Sequence, residues 1–192
     1  MKNTFLSVGA LLIIFSCGDV SKSSGLSEKE LISGFEGVRS KFNIVFENSK
    51  DCNQEKLKSL NDSLAYYNDS LVFYVDAMLA EYSNSPDLPE LLCRAGRSSL
   101  DAKNSVKALE YLNYVVDSFP NHTIVPQSMY FIGLTKEVLL KDVLAAKESY
   151  KKLYRAYPNS VWGKRAKDSS KLISKPLVPQ NVEQENDSLN PE

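Results

Sequence analysis

One pattern is written three times between residues 82 and 173, and it restricts the fold more than any other feature. It reads YSNSPDLPELLCRAG at 82–96, FPNHTIVPQSMYFIG at 119–133 and YPNSVWGKRAKDSSKLI at 157–173. Tyr82, Phe119 and Tyr157 stand 37 and 38 residues apart, while Pro89/Pro126 and Gly96/Gly133 are each 37 apart. A period between about 20 and 50 residues marks stacked supersecondary units, each of which buries its apolar face only against its neighbours.

The units read as helix pairs. Helix A1 is predicted to start near Pro89 and A2 near Pro126, because proline suits a first turn where its missing N–H had no partner. Asn104 is placed to cap helix B1, running to Ser118, and Asp142 to begin B2, running to about Ala156. Phe119-Pro120 and Tyr157-Pro158 close the B helices, and Asn121 and Asn159 follow as turn residues. A third A-type helix is predicted from Val161-Trp162, fading at Lys175-Pro176. Gly96 and Gly133 fall inside helices, where each costs about 1 kcal/mol against alanine. A cost met twice at one position implies close approach of a partner helix, with Ala108 and Ala146 as small residues on the B side.

Upstream, Ser27 and Glu30 are spaced as a capping box, and Leu31, Phe35, Val38 and Phe42 recur at helical spacing. This predicts a helix over about 28–42, with 43–51 as a connection. A second helix is predicted over 53–81 from Leu57, Leu60, Leu64, Tyr67, Leu71, Tyr74 and Met78. That seam is too short to argue for a coiled coil, so it is assigned to core packing. Asn61-Asp62-Ser63 and Asn68-Asp69-Ser70 are placed on its outer face. Helix 53–81 is expected to act as a leading B helix, 161–173 as a trailing A helix, and 28–42 as a cap on the front.

The N-terminus carries Lys2 and an apolar run from Phe5 to Phe15, too short to span a bilayer and fitting a signal-peptide core. Its end, Ile14-Phe15-Ser16-Cys17-Gly18, resembles the lipobox of bacterial lipoproteins. The resemblance implies cleavage before Cys17 and acylation of that residue, an anchor in which each buried methylene contributes about 0.8 kcal/mol. Gly18, rather than aspartate, follows the cysteine, which in the resemblance points to the outer membrane, on its periplasmic face. The alternative is an ordinary secretory signal with an incidental cysteine. The chain thus divides into a signal peptide 1–16, a lipidated flexible tether 17–27, a helical domain 28–173 and a disordered tail 174–192. The tail, with three prolines and four acidic side chains, has too little apolar content to fold.

A formal net charge of -1, with no basic run, leaves no electrostatic footprint for nucleic acid. Neither a phosphate loop nor a metal-spaced cluster occurs, so no cofactor, metal or small-molecule substrate is expected. The single histidine, His122, lies in a turn. A Cys93–His122 nucleophile pair is conceivable, but the chain is expected not to be an enzyme. Cys52 and Cys93 could pair in an oxidising compartment, although Cys93 on a helix reads as a small packed thiol.

With Gly96 set at repeat position 8, Ala108 falls at 20 and Pro120 at 32, three marks of the tetratricopeptide repeat. The chain resembles a tetratricopeptide-repeat lipoprotein of the Gram-negative cell envelope, over about residues 62–173. Its long period and its FPNH and YPNS turns are similar to the BamD-like lipoproteins of the β-barrel assembly machinery. They are also similar to the YbgF-like periplasmic proteins of the Tol–Pal system. It departs from the pattern in its period of 37–38 and in having Leu92 and Met129 where tryptophan is usual. The resemblance implies an all-α fold, a short tetratricopeptide-repeat-like solenoid of antiparallel helix pairs whose A helices line a partner groove. Carried over by position, that groove takes Glu90, Cys93, Arg97, Leu100 and Asp101 from A1. It takes Gln127, Tyr130, Leu134, Glu137 and Val138 from A2, and Arg165, Asp168 and Leu172 from the trailing helix. The expected function is a lipid-anchored scaffold docking protein partners of the envelope, in outer-membrane protein assembly or with Tol–Pal. A peptidoglycan binder using Tyr130 and Trp162, or a hydrolase using Cys93 and His122, are the other readings.

Overall fold

A computed structural model of the chain describes residues 23–50 and 52–173. The segments expected to be signal peptide (1–16), lipidation site (Cys17), the first part of the tether (17–22) and tail (174–192) lie outside the described residues. Within them the structure is all-helical: α1 (Glu28–Lys50), α2 (Gln54–Glu81), α3 (Leu88–Asp101), α4 (Ser105–Ser118), α5 (Val125–Val138), α6 (Val143–Ala156) and α7 (Val161–Leu172). No described helix is long and apolar enough to cross a membrane.

The capping chemistry read from the sequence sets the helix ends. Ser27 and Glu30 form the reciprocal box, the Ser27 N–H donating to Glu30 Oε2 at 2.8 Å. The Asn104 side chain accepts from Lys107 N at 3.1 Å and Asp142 from Ala145 N at 2.9 Å. Both caps sit at nearly the same backbone angles, φ/ψ -92/83 and -87/83. The preceding residues, Lys103 and Lys141, are both left-handed, with φ of 63° and 57°. Three helix ends also match: Tyr82 (-133/45), Phe119 (-127/52) and Tyr157 (-132/59) each donate their N–H into the turn before. The connection from α5 to α6 is one residue longer than that from α3 to α4, which is why α3 and α5 start 37 residues apart and α4 and α6 start 38 apart.

Connections this short turn each helix back along its predecessor. Each helix packs on the next, and α3 also touches α5, which touches α7. One continuous core results, with Phe35, Phe42, Leu71, Leu88, Leu112, Tyr111, Tyr150 and Leu153 fully or almost fully buried. Each such apolar side chain contributes about 1.5–3 kcal/mol by leaving water. Gly96 and Gly133 have like surroundings: a Cβ on either would come within 2.7 Å of Leu112 Cγ or 2.6 Å of Tyr150 Cε1 on the paired helix.

Four expectations need correction. Helix α1 does not end at 42 but continues to Lys50, because Phe42 and Phe46 stack at 6.3 Å and Val45 and Phe46 still pack on the core. It is also more than a cap on the front. Helix α1 pairs with α2 as a full hairpin, Gly34 lying under the Tyr74 ring as Gly96 lies under Leu112. Asn68 is not on an outer face: it is 1% exposed, and accepts a hydrogen bond from the Ser99 hydroxyl at 2.9 Å. Of the expected tether, residues 23–27 are strapped to the end of α2. Ser24 N–H donates to Glu81 at 2.6 Å, and the Tyr82 hydroxyl donates to Leu26 O at 3.0 Å.

Candidate functional site

Helices α1, α3, α5 and α7 present one face, and the side chains carried there differ from an apolar core stripe. Contacts along α3 and α5 advance together: Cys93 lies by Ser128, and the Arg97 guanidinium lies 4.9 Å from the centre of the Phe131 ring. The two helices therefore run parallel. Arg97 Nε also donates to Asp101 at 2.8 Å. Burial pushes the Asp101 carboxyl up from its ordinary value, against the opposing pull of Arg97.

Helix α1, paired with α2 and lying beside α3, lays further charge across this face. Arg94 pairs with Glu36 and sits over the Phe35 ring. Arg39, next to it, has its Nε buried with no hydrogen-bond partner among the described residues. Burial and then the neighbouring Arg94 charge lower the Arg39 pKa, yet a guanidinium stays charged at any physiological pH. Neither Glu36, Arg39 nor Arg94 was reachable from the repeat positions.

On the α5–α7 side the anchors are aromatic. Tyr130 packs at 5.3 Å against Trp162 and 5.5 Å against Tyr150, with its hydroxyl 3.4 Å from Ser169. Arg165 lies over the outer face of Trp162 at 5.0 Å. Glu137 accepts from the buried Tyr150 hydroxyl at 2.8 Å. Glu90, Arg165, Asp168, Val138 and Leu172 are exposed, and Gln127 and Leu134 half-buried. Asp168 pairs only loosely with Lys171, at 3.8 Å on open surface, an arrangement worth little. Cys93 and Leu100, by contrast, are 0% and 6% exposed. They belong to the core, because α1 and α5 close over that side of α3.

Past Arg97 the face opens into a groove of about 420 Å³ at the C-terminal ends of these helices. Its floor is apolar, from Phe46, Leu100, Leu134, Val138 and Leu139, with Asp101 beside it. Lys103 and Lys141, the two left-handed lysines, stand at the rim.

The thiols are unpaired: Cys52 is partly exposed and Cys93 buried. Desolvation pushes the Cys93 thiol up to about 11, so it carries no thiolate at neutral pH. His122 is tied into its own turn, Nδ1 accepting from Ile124 N at 3.2 Å. A thiol reagent is expected to label Cys52 in the native chain and to reach Cys93 only as helical circular dichroism is lost. Labelling of Cys93 in the native state would show that this core opens.

No protein-family model matches the chain, and no curated protein matches it.

Proposed function

We propose that this chain is a lipid-anchored scaffold of the cell envelope, a short tetratricopeptide-repeat-like solenoid that binds partner proteins along the face of α1, α3, α5 and α7. The observation that carries this reading is the recurrence of one hairpin geometry, with matched caps at Asn104 and Asp142 and matched ends at Tyr82, Phe119 and Tyr157. Units repeated in this way expose an extended face made of the same helix from each pair. Here that face carries Arg97, Tyr130, Trp162 and Arg165, with an open apolar groove further along it at the C-terminal ends of α3 and α5, and arginine and large aromatics are the side chains that anchor protein interfaces. Cys17 supplies the tether, placing the domain at the periplasmic face of the outer membrane.

The test is photocrosslinking in intact envelopes, with the crosslinker at Glu90, Val138 or Arg165 on the face and at Leu144 on the far side as control. Capture of a discrete protein from the first three positions and not from Leu144, which is 78% exposed, is the expected result. A β-barrel assembly component would assign the BamD-like role, and a Tol–Pal component the YbgF-like role. No captured protein, or equal capture from Leu144, would sink the reading. Cys17→Ser is expected to release the chain from the membrane fraction.

A second reading has one observation in its favour, since Tyr130 and Trp162 do share a face. Sugar-binding aromatics need an open ring face, however, and these rings are largely spent on each other, Tyr150 and Arg165. Co-sedimentation of the domain with murein, abolished by Trp162→Ala, would turn the argument towards glycan.

A further inference from the structure

We propose that residues 174–192, the segment following α7, dock in the groove at the C-terminal ends of α3 and α5 and compete there with the partner. The regulatory half of this proposal rests on the scaffold reading above; the docking half does not.

Direction supplies the first argument. Helices α3 and α5 run parallel, and two further short connections bring α7 back to the same heading. Helix α7 therefore ends beside the C-terminal end of α5, where Leu134 and Val138 line the groove. Leu177 and Val178 follow Ile173 by four and five residues, a reach of about 13–18 Å for extended chain. The neighbouring helix is about 8–10 Å away, so these apolar side chains reach the α5 side of the floor, at Leu134 and Val138.

Charge supplies the second. Lys103 and Lys141 are exposed at the rim, and neither makes an ion pair with a described carboxylate. The groove's own acid, Asp101, is already held by Arg97. Both lysines also occupy left-handed backbone, where glycine would be unstrained. Past Val182 the segment offers Glu183, Glu185 and Asp187, with Lys175 as its one basic residue. Apolar residues come first and carboxylates after, the order in which floor and rim are met from α7.

A covalently attached segment needs little intrinsic affinity. A contact of about 0.1 mM under a local concentration of about 1 mM leaves it about 90% docked, so access to the segment falls about tenfold.

The measurement is the initial rate at which a glutamate-specific protease cuts the full chain, purified in detergent, after Glu183 and Glu185. Cleavage of wild type is expected to be about tenfold slower than that of Lys103→Glu/Lys141→Glu, whose changes lie far along the chain from the cut. Val138→Asp, a change at an exposed site, is expected to accelerate cleavage likewise while leaving the melting curve in place. Equal rates in wild type and both variants would overturn the proposal. Equal rates with partner capture intact would sink the docking alone; protection without any captured partner would sink the scaffold reading and leave the docking standing.

Discussion

Tyr150→Ala is expected to lower stability by about 4 kcal/mol, within the 3–5 kcal/mol typical of removing a buried aromatic ring. At roughly 2–4 °C per kcal/mol for a chain of this size, the melting temperature should fall by about 10 °C. The magnitude follows from position. The ring is 0% exposed, fills the space that Gly133 leaves open, and backs Tyr130 at 5.5 Å. Tyr150→Phe should cost only about 1 kcal/mol, the usual net worth of one hydrogen bond, here the one to Glu137. The two variants thus separate packing from polarity. Burial, and then Glu137, raise the pKa of this hydroxyl, as burial and Asp76 do for Tyr111. A group raised on folding contributes stability that is complete below its unfolded pKa and is lost as pH rises through the folded one. Wild-type stability should therefore fall above about pH 10, and Tyr150→Phe should flatten part of that fall. Alanine and phenylalanine variants melting alike would show that the ring is not packed.

Much of the fold was legible because local chemistry and packing demand the same residues. Pro89 and Pro126 stand at the starts of α3 and α5, and Asn104 and Asp142 cap α4 and α6 where they were placed. Gly96 and Gly133 announced two close approaches through a cost that only packing explains. What could not be read lies where a distant element decides. Residues 43–50 carry Asn43, Asn48 and Ser49, weak helix formers, and stay helical because Val45 and Phe46 find the core. Asn68 looks like solvent-facing chain until Ser99, 31 residues on, supplies its buried partner. The face was half legible. Repeat positions placed Arg97, Tyr130, Leu134 and Val138, but nothing local predicts that α1 would bring Arg39 and Glu36 beside Arg94.

Gly163→Ala is the sharpest test of how α7 is seated. A Cβ at Gly163 would overlap the carbonyl oxygen of Tyr157, a backbone atom that no change of rotamer can move. That oxygen also accepts from the Ser160 N–H at 3.2 Å and the Ser160 hydroxyl at 3.0 Å, while the same hydroxyl accepts from Gly163 N at 2.8 Å. Relieving the overlap therefore means opening the cap of α7. The expected cost is about 3 kcal/mol, the upper end for an overpacked site, and more than for Gly96→Ala, where the nearest atoms belong to the Leu112 side chain rather than to backbone. Gly37 is the control, since nothing lies within 4 Å of a Cβ there, so alanine should gain up to about 1 kcal/mol of helix propensity. Trp162 is the only tryptophan of the chain and sits one residue from the strain, against Tyr130 and Phe131. Its emission should shift to the red in Gly163→Ala as α7 lifts, and partner capture through Arg165 should drop with it. A variant that melts with wild type and keeps the native emission would mean that α7 is seated some other way.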